Sequence, residues 1–181
     1  MLERLKSPDA PDADWRRLHD IYVPLLRHWL GKLGVASNDV DDLAQEVWLV
    51  VLQKLPAFER RRDGSFRAWL RQLAVHLVRN WRRKNRPAGA NDEVLAQLED
   101  PNSDLSQQWD RDHDRRVFDK LLDVARPDFA PATWNAFRRF VLDGVPAARV
   151  AVEFQLSEAA VLQAKSRILK RLRDEAAGLI E

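Results

Sequence analysis

Residues 65–86 read SFRAWLRQLAVHLVRNWRRKNR, and the organisation of the chain follows from this stretch. Its large apolar residues, Phe66, Trp69, Leu70, Leu73, Leu77 and Trp81, recur at steps of three and four. That is the period of one face of an α-helix. Ser65 stands where an N-cap belongs, and Pro87 closes the stretch. The remaining surface is basic: Arg67, Arg71, Arg79, Arg82, Arg83, Lys84 and Arg86, with no carboxylate between Ser65 and Pro87. A merely solvated helix face usually mixes both signs. An apolar wall backed by unopposed arginines suits a polyanion, and the indoles of Trp69 and Trp81 offer stacking platforms for bases.

The bias extends outward. Residues 60–86 hold ten Arg or Lys against one acid, a net of +9, whereas residues 91–114 hold eight acids against Arg111, a net of −7. The formal charge of the 181-residue chain, +2, therefore hides a segregated surface, and its basic half is suited to nucleic acid. There is no cysteine, which excludes disulfides and thiolate metal sites. No run of eighteen apolar residues occurs and the N-terminus is too charged for a secretory signal, so the expectation is a soluble cytoplasmic protein.

Taken in order, residues 1–13 carry two prolines and scattered charge and read as a loose N-terminus. A first helix is predicted from about Trp15 to Leu33, with Trp15, Leu18, Tyr22, Leu25 and Trp29 as its seam and a kink or restart near Val23 because Pro24 lacks an N–H. Ser37 or Asn38 should cap a second helix whose first turn holds Asp39, Asp41 and Asp42, where the helix dipole favours carboxylates. Ala44, Val47, Trp48, Val51, Leu52 and Leu55 mark its inner face; Asp39, Asp42, Gln45, Glu46, Leu49 and Gln53 lie opposite. These two helices and the basic one should form a three-helix bundle over residues 14–86. Residues 87–113, rich in Pro, Gly, Asn, Asp and Ser, read as a flexible acidic linker with one short helix near Val94–Leu98. A second helical domain follows over 114–178. In it a short helix near Ala147–Phe154, the turn Gln155-Leu156 and a longer helix capped by Ser157 have helix-turn-helix spacing. The fold class is all-α.

Three constellations could carry function. In the basic helix Arg79, Arg82, Arg83 and Arg86 could neutralise phosphates, and His76, Asn80 and Arg83 share a face that could reach base edges. The acidic face of the second helix has three readings: dipole and capping residues, a protein-docking face formed by Asp42, Gln45, Glu46 and Leu49, or a Mg²⁺ site on Asp39, Asp41, Asp42 and Glu46. The third is the helix-turn-helix. Ser157, Glu158, Ala160, Val161, Ala164, Lys165 and Lys170 could face a major groove, with Arg149 and Arg167 near the backbone. The residues alone leave open a free-standing helix-turn-helix regulator, a helical adaptor and a metal-dependent nuclease.

DVDDLAQEVWLVVLQKLPAFE (39–59) followed by GSFRAWLRQLAVHLVRNWRRK (64–84) resembles the second conserved domain of bacterial RNA polymerase sigma factors of the extracytoplasmic-function (ECF) group. VPAARVAVEFQLSEAAVLQAKSRILKRLR (145–173) resembles the fourth sigma domain, and IYVPLLRHWL (21–30) is similar to that group's first helix. The resemblance implies a non-enzymatic promoter-specificity subunit with no catalytic residues, cofactor or metal. Its implied partners are core RNA polymerase (the β′ clamp helices and the β flap), promoter DNA and an anti-sigma factor. Docking on the clamp helices is implied for Asp39, Asp42, Gln45, Glu46 and Leu49. Recognition of the −10 element is implied for Arg62, Ser65, Arg67, His76, Arg79, Asn80, Arg82 and Arg83, with Glu59–Ser65 and Arg67 walling a pocket for an unstacked base. Recognition of the −35 element is implied for Arg149, Ser157, Glu158, Ala160, Val161, Gln163, Ala164, Lys165 and Arg167. Two departures stand out: Gln155 occupies a turn position where the family commonly has Gly, and His76 and Asn80 replace residues that are often Asn and Asp.

Overall fold

The computed structural model describes residues 2–7, 9–59, 65–85, 92–177 and 179. These residues are helical with no strand among them. Two compact units divide the chain, 1–117 with 178–181, and 118–177.

The first unit is built on α2 (Asp12–Lys32), α3 (Ser37–Lys54) and α4 (Ser65–Asn85). α2 runs unbroken through Pro24, so the expected restart does not occur. It buries Leu18, Ile21, Tyr22, Leu25, Leu26, Trp29 and Leu30, apolar contacts on both sides of the proline that favour a continuous helix. α3 buries Leu43, Ala44, Val47 and Val51, and Trp48 and Leu52 sit at the margin. The cap of α3 is the backbone of Ala36, not a side chain of Ser37 or Asn38. In α4 the inner face is Phe66, Leu70, Ala74, Val75, Leu77 and Val78, with Trp69, Leu73 and Trp81 only half-buried.

Two expectations of loose chain are corrected. Within residues 1–13, α1 (Leu2–Leu5) buries both of its leucines. The Arg4 guanidinium beside α1 donates to Asp14 at 2.8 Å and holds that carboxyl below the ordinary range. The larger correction concerns the acidic stretch. Its described part forms α5 (Glu93–Glu99) and most of the first half of α6 (Asp104–Ala125), packed into the first unit rather than tethered beside it. Leu95, Leu98 and Trp109 are fully buried, with the Trp109 ring 5.1 Å from that of Trp29. Ser103 Oγ accepts from the Ser106 amide at 3.0 Å, so α6 begins on a serine cap. The buried Ser106 hydroxyl donates to the Leu98 carbonyl at 2.8 Å, joining α5 to α6.

In the second unit α7 (Pro131–Phe137) opens on a proline at its first position. It runs into a π-turn at Arg138–Leu142, which Gly144 closes with a positive φ of 69°. α8 (Ala147–Phe154) and α9 (Glu158–Ala176) pack over a core of Ala136, Val150, Ala151 and Val161, with Phe140, Phe154 and Leu156 at its edge. Between them Gln155 takes the left-handed conformation at φ 55°. The Leu156 amide reaches back to the Ala151 carbonyl at 2.8 Å, and Ser157 Oγ accepts from the Ala160 amide at 3.1 Å. These bonds fix the turn between α8 and α9.

Candidate functional site

α3 points its acidic face outward. Because Leu43, Ala44, Val47 and Val51 turn inward, Asp42, Gln45, Glu46 and Leu49 are exposed and Asp39 is half-exposed. Leu49 is a large apolar side chain left 56% exposed among carboxylates. Asp41 pairs with Arg27 at 2.7 Å, whereas Asp39, Asp42 and Glu46 have no ion-pair partner among the described residues. Also among the described residues, no group of three or more His, Asp or Glu lies where it could hold a metal ion, so the Mg²⁺ reading finds no assembled site there.

α4 carries its cations in two sets. One set faces the acidic stretch. Arg67 holds Asp114 in a two-oxygen fork at 2.9 and 3.0 Å and lies 3.4 Å from Asp110. Arg71 Nη1 reaches Asp110 at 2.9 Å and the Ser106 carbonyl at 3.5 Å. Arg79 forks onto Glu99 at 2.8 and 3.0 Å. Arg82 reaches Asp92 at 2.9 Å and the Leu33 carbonyl at 2.6 Å. Arg71 and Arg82 are buried, with only 6% and 7% of their side chains exposed. Burial pulls the Arg71 guanidinium below its ordinary value despite Asp110 beside it. The Glu99 hydrogen bond raises Arg79 and lowers Glu99 in turn. The expectation of an unopposed basic face is thus corrected for Arg67, Arg79 and Arg82: eight carboxylates follow in the sequence, and four of them, Asp92, Glu99, Asp110 and Asp114, reach these arginines within the same unit.

The second set is open. His76, Arg83 and Lys84 are exposed and Asn80 is half-exposed. The Asn80 amide nitrogen lies 3.1 Å from His76 Nε2, and Arg83 donates to the amide oxygen of Asn80. The shared face read from the sequence is therefore a hydrogen-bonded row. At the N-terminal end Trp69 lies half-exposed, 5.2 Å from Phe58 and 5.5 Å from Phe66 between ring centroids. The pocket segment 60–64, with Arg62, lies outside the described residues, as does Arg86; Ser65 opens α4.

The cap residue Ser157 is exposed, as are Glu158, Leu162, Gln163, Ser166, Arg167 and Lys170 of α9 and Arg149 of α8. Ala160 is half-buried. Val161 and Ala164 are corrected: at 0% and 3% exposure they seal the seam between helices and cannot reach a groove. Lys165 lies over the Phe140 ring at 5.4 Å and is only half-exposed.

The residues that sequence reasoning missed are mostly polar ones on α6. His113 is fully buried, with Nε2 3.0 Å from the Tyr22 hydroxyl and Nδ1 3.0 Å from Asp114. Burial pulls the Asp114 carboxyl up, but His113 and Arg67 outweigh it and leave the group below its ordinary range. Burial, aided by the nearby Asp114 charge, pushes Tyr22 well above its own. The overlooked signal was the four-residue step Trp109, His113, Val117, Leu121.

Residues 18–88 match the Sigma-70 region 2 family. Over 139 residues the chain is 29% identical to a probable RNA polymerase sigma factor, RfaY, of Xanthomonas campestris pv. campestris. That similarity covers 75% of this chain and 33% of the relative, so the chain spans about a third of the length of the curated protein it matches. The match to region 2 encloses α3 and α4, the two helices that carry the acidic face and the hydrogen-bonded row.

Proposed function

We propose that the chain is a promoter-specificity subunit of bacterial RNA polymerase, a sigma factor of the ECF group that works in the cytoplasm and performs no chemistry of its own. The observation that carries this reading is the exposed face of α3. Its carboxylates at Asp42 and Glu46 lack internal partners among the described residues and share the exposed face of α3 with Leu49, within the segment that matches Sigma-70 region 2. An exposed apolar residue on one face with uncompensated carboxylates suits a basic protein partner, here the clamp helices of the β′ subunit.

On this reading the open face of α4 holds −10 promoter DNA. Arg83 and Lys84 meet phosphates, which position but do not specify, while His76 and Asn80 present hydrogen-bonding edges. Trp69, beside Phe58 and Phe66, supplies an aromatic wall for a base that leaves the stack; the few kcal/mol of unstacking is matched by about 1–3 kcal/mol per stacked base plus the phosphate contacts. Ser157, Glu158, Gln163 and Arg167 of α9, with Arg149 of α8, serve the −35 element. The β flap and an anti-sigma factor complete the set of partners.

The test is co-purification and run-off transcription with purified core polymerase. The double substitution Asp42→Lys/Glu46→Lys should abolish association and transcription while leaving the thermal melt unchanged. Wild-type levels of association would remove the docking assignment, and no promoter-dependent transcript from the unaltered chain would remove the reading as a whole.

A further inference from the structure

The carboxylates paired with α4 differ in setting. Asp110 and Asp92 meet arginines that are themselves buried and wired to main-chain carbonyls, Arg71 to Ser106 and Arg82 to Leu33. Removing such a guanidinium from its carboxylate leaves a charge in a poorly solvated place, so these contacts are structural. The Arg79–Glu99 pair is different. Both side chains stand at the rim, 36% and 42% exposed, and Asp92, 47% exposed, approaches Arg79 to 4.0 Å. Exposed pairs of this kind contribute little to folding. Arg79 nonetheless uses both arms of its fork on Glu99, the geometry by which a guanidinium also grips a phosphate. It lies one residue from Asn80, at the side of the open row His76–Asn80–Arg83.

We infer that Glu99 on α5 is an internal phosphate mimic that holds Arg79 in the free protein, so that nucleic acid must displace it to gain this contact. The inference rests on the reading that α4 binds DNA. α5 is suited to the role. It is seven residues long and keyed by Leu95 and Leu98, which leaves Glu99 at its C-terminal end fixed within reach of α4. A carboxylate also sits poorly there for the helix's own sake, because its dipole favours cations at that end. The position thus gains from Arg79 and not from α5, which makes the pair exchangeable for a phosphate.

The experiment uses the full chain and a fluorescein-labelled single-stranded oligonucleotide carrying a −10 element, followed by fluorescence anisotropy across a salt series. Glu99→Gln keeps the size of the side chain, replaces one of its two acceptor oxygens by an amide NH₂ and removes its charge. Asp119→Asn, an exposed residue outside the first unit, makes the same change in net charge and serves as control. Glu99→Gln should bind about one-and-a-half- to fivefold tighter than the control, the range for release of one surface pair. Its log affinity against log salt should be steeper by about 0.7, one further phosphate contact on a single strand. Combining Glu99→Gln with Arg79→Gln should return both quantities to the control values. Equal affinity and slope for Glu99→Gln and the control, including no binding by either, overturns the inference. Promoter-dependent run-off with core polymerase would still stand in that event, which separates failure of the mimic from failure of the sigma-factor reading. If Arg83→Ala/Lys84→Ala leaves DNA binding unchanged and no transcript forms, the underlying reading has failed.

Discussion

Replacement of Trp109 by alanine tests whether the acidic stretch is part of the first unit. Trp109 is fully buried and its ring lies 5.1 Å from that of Trp29. A buried indole removes about 150–250 Å² from water, which at about 25 cal/mol per Å² corresponds to about 4–6 kcal/mol. Trp-to-Ala changes in cores cost about 3–5 kcal/mol. We take about 4 kcal/mol, close to a thousandfold in the unfolding equilibrium and a large part of the roughly 5–15 kcal/mol that holds a typical domain together. A tryptophan on a solvated tether would cost within about 0.5 kcal/mol. Trp109→Phe should fall near 1 kcal/mol: it keeps an aromatic ring against Trp29 and removes an indole N–H that has no partner among the described residues. Urea unfolding of the full chain, read by far-UV circular dichroism and by hydrogen exchange over residues 104–117, gives the comparison, with Arg111→Ala on the exposed side of α6 as control. If Trp109→Ala matches Arg111→Ala and the amides of 104–117 exchange freely in the unaltered chain, the packing argument is refuted.

Two further outcomes are expected. Gln155→Gly should stabilise the second unit by about 1 kcal/mol in urea melts, because glycine takes the φ of 55° without a Cβ clash and the exposed glutamine side chain loses no packing; a loss of stability would show that the glutamine is favoured at this turn. Asp14 and Asp114 have folded-state values held below the ordinary carboxylate range, so their stabilisation is complete above that range and disappears as pH falls through the lowered values. The melting temperature of the first unit should therefore decline from about pH 5 downward, and Asp114→Asn should flatten that decline; an unchanged decline in the variant would mean that the Arg67 and His113 contacts do not couple to folding.

The legible part of this fold was the part written in apolar periodicity and caps. The Ser157 cap and the spacing of two helices about the turn Gln155-Leu156 marked α8 and α9. The same α9 pattern was misread where Val161 and Ala164 were placed toward DNA, since one inward stripe cannot also face out. In α4 the helix was legible but its faces were not. Ala74, Val75 and Val78 fill the crowded interior, and the larger Trp69 and Trp81 sit at its edge, since Trp29 and Trp109 already occupy the centre of the unit. α6 was hidden by its composition. Its buried seam uses Ser106 and His113 between Trp109 and Val117, and a polar residue reads as core only when its partners are known, here the Leu98 carbonyl, Tyr22 and Asp114.

Charge segregation along a sequence has two physical meanings, and this chain contains both. Residues 60–86 and 91–114 carry opposite excesses close together in sequence, and across a short connection opposite charges meet at small entropic cost. Much of the apparent affinity of α4 for a polyanion is accordingly taken up inside the unit, at Arg67, Arg71, Arg79 and Arg82. α3 differs: Asp42 and Glu46 stay without ion-pair partners among the described residues, although α2 supplies Arg27 to the neighbouring Asp41. Isolated like charges around an exposed leucine add nothing to the stability of the bundle. An internal role accounts for the paired arginines. Asp42 and Glu46 have no ion-pair partner among the described residues, and the proposed docking on a basic partner would supply one.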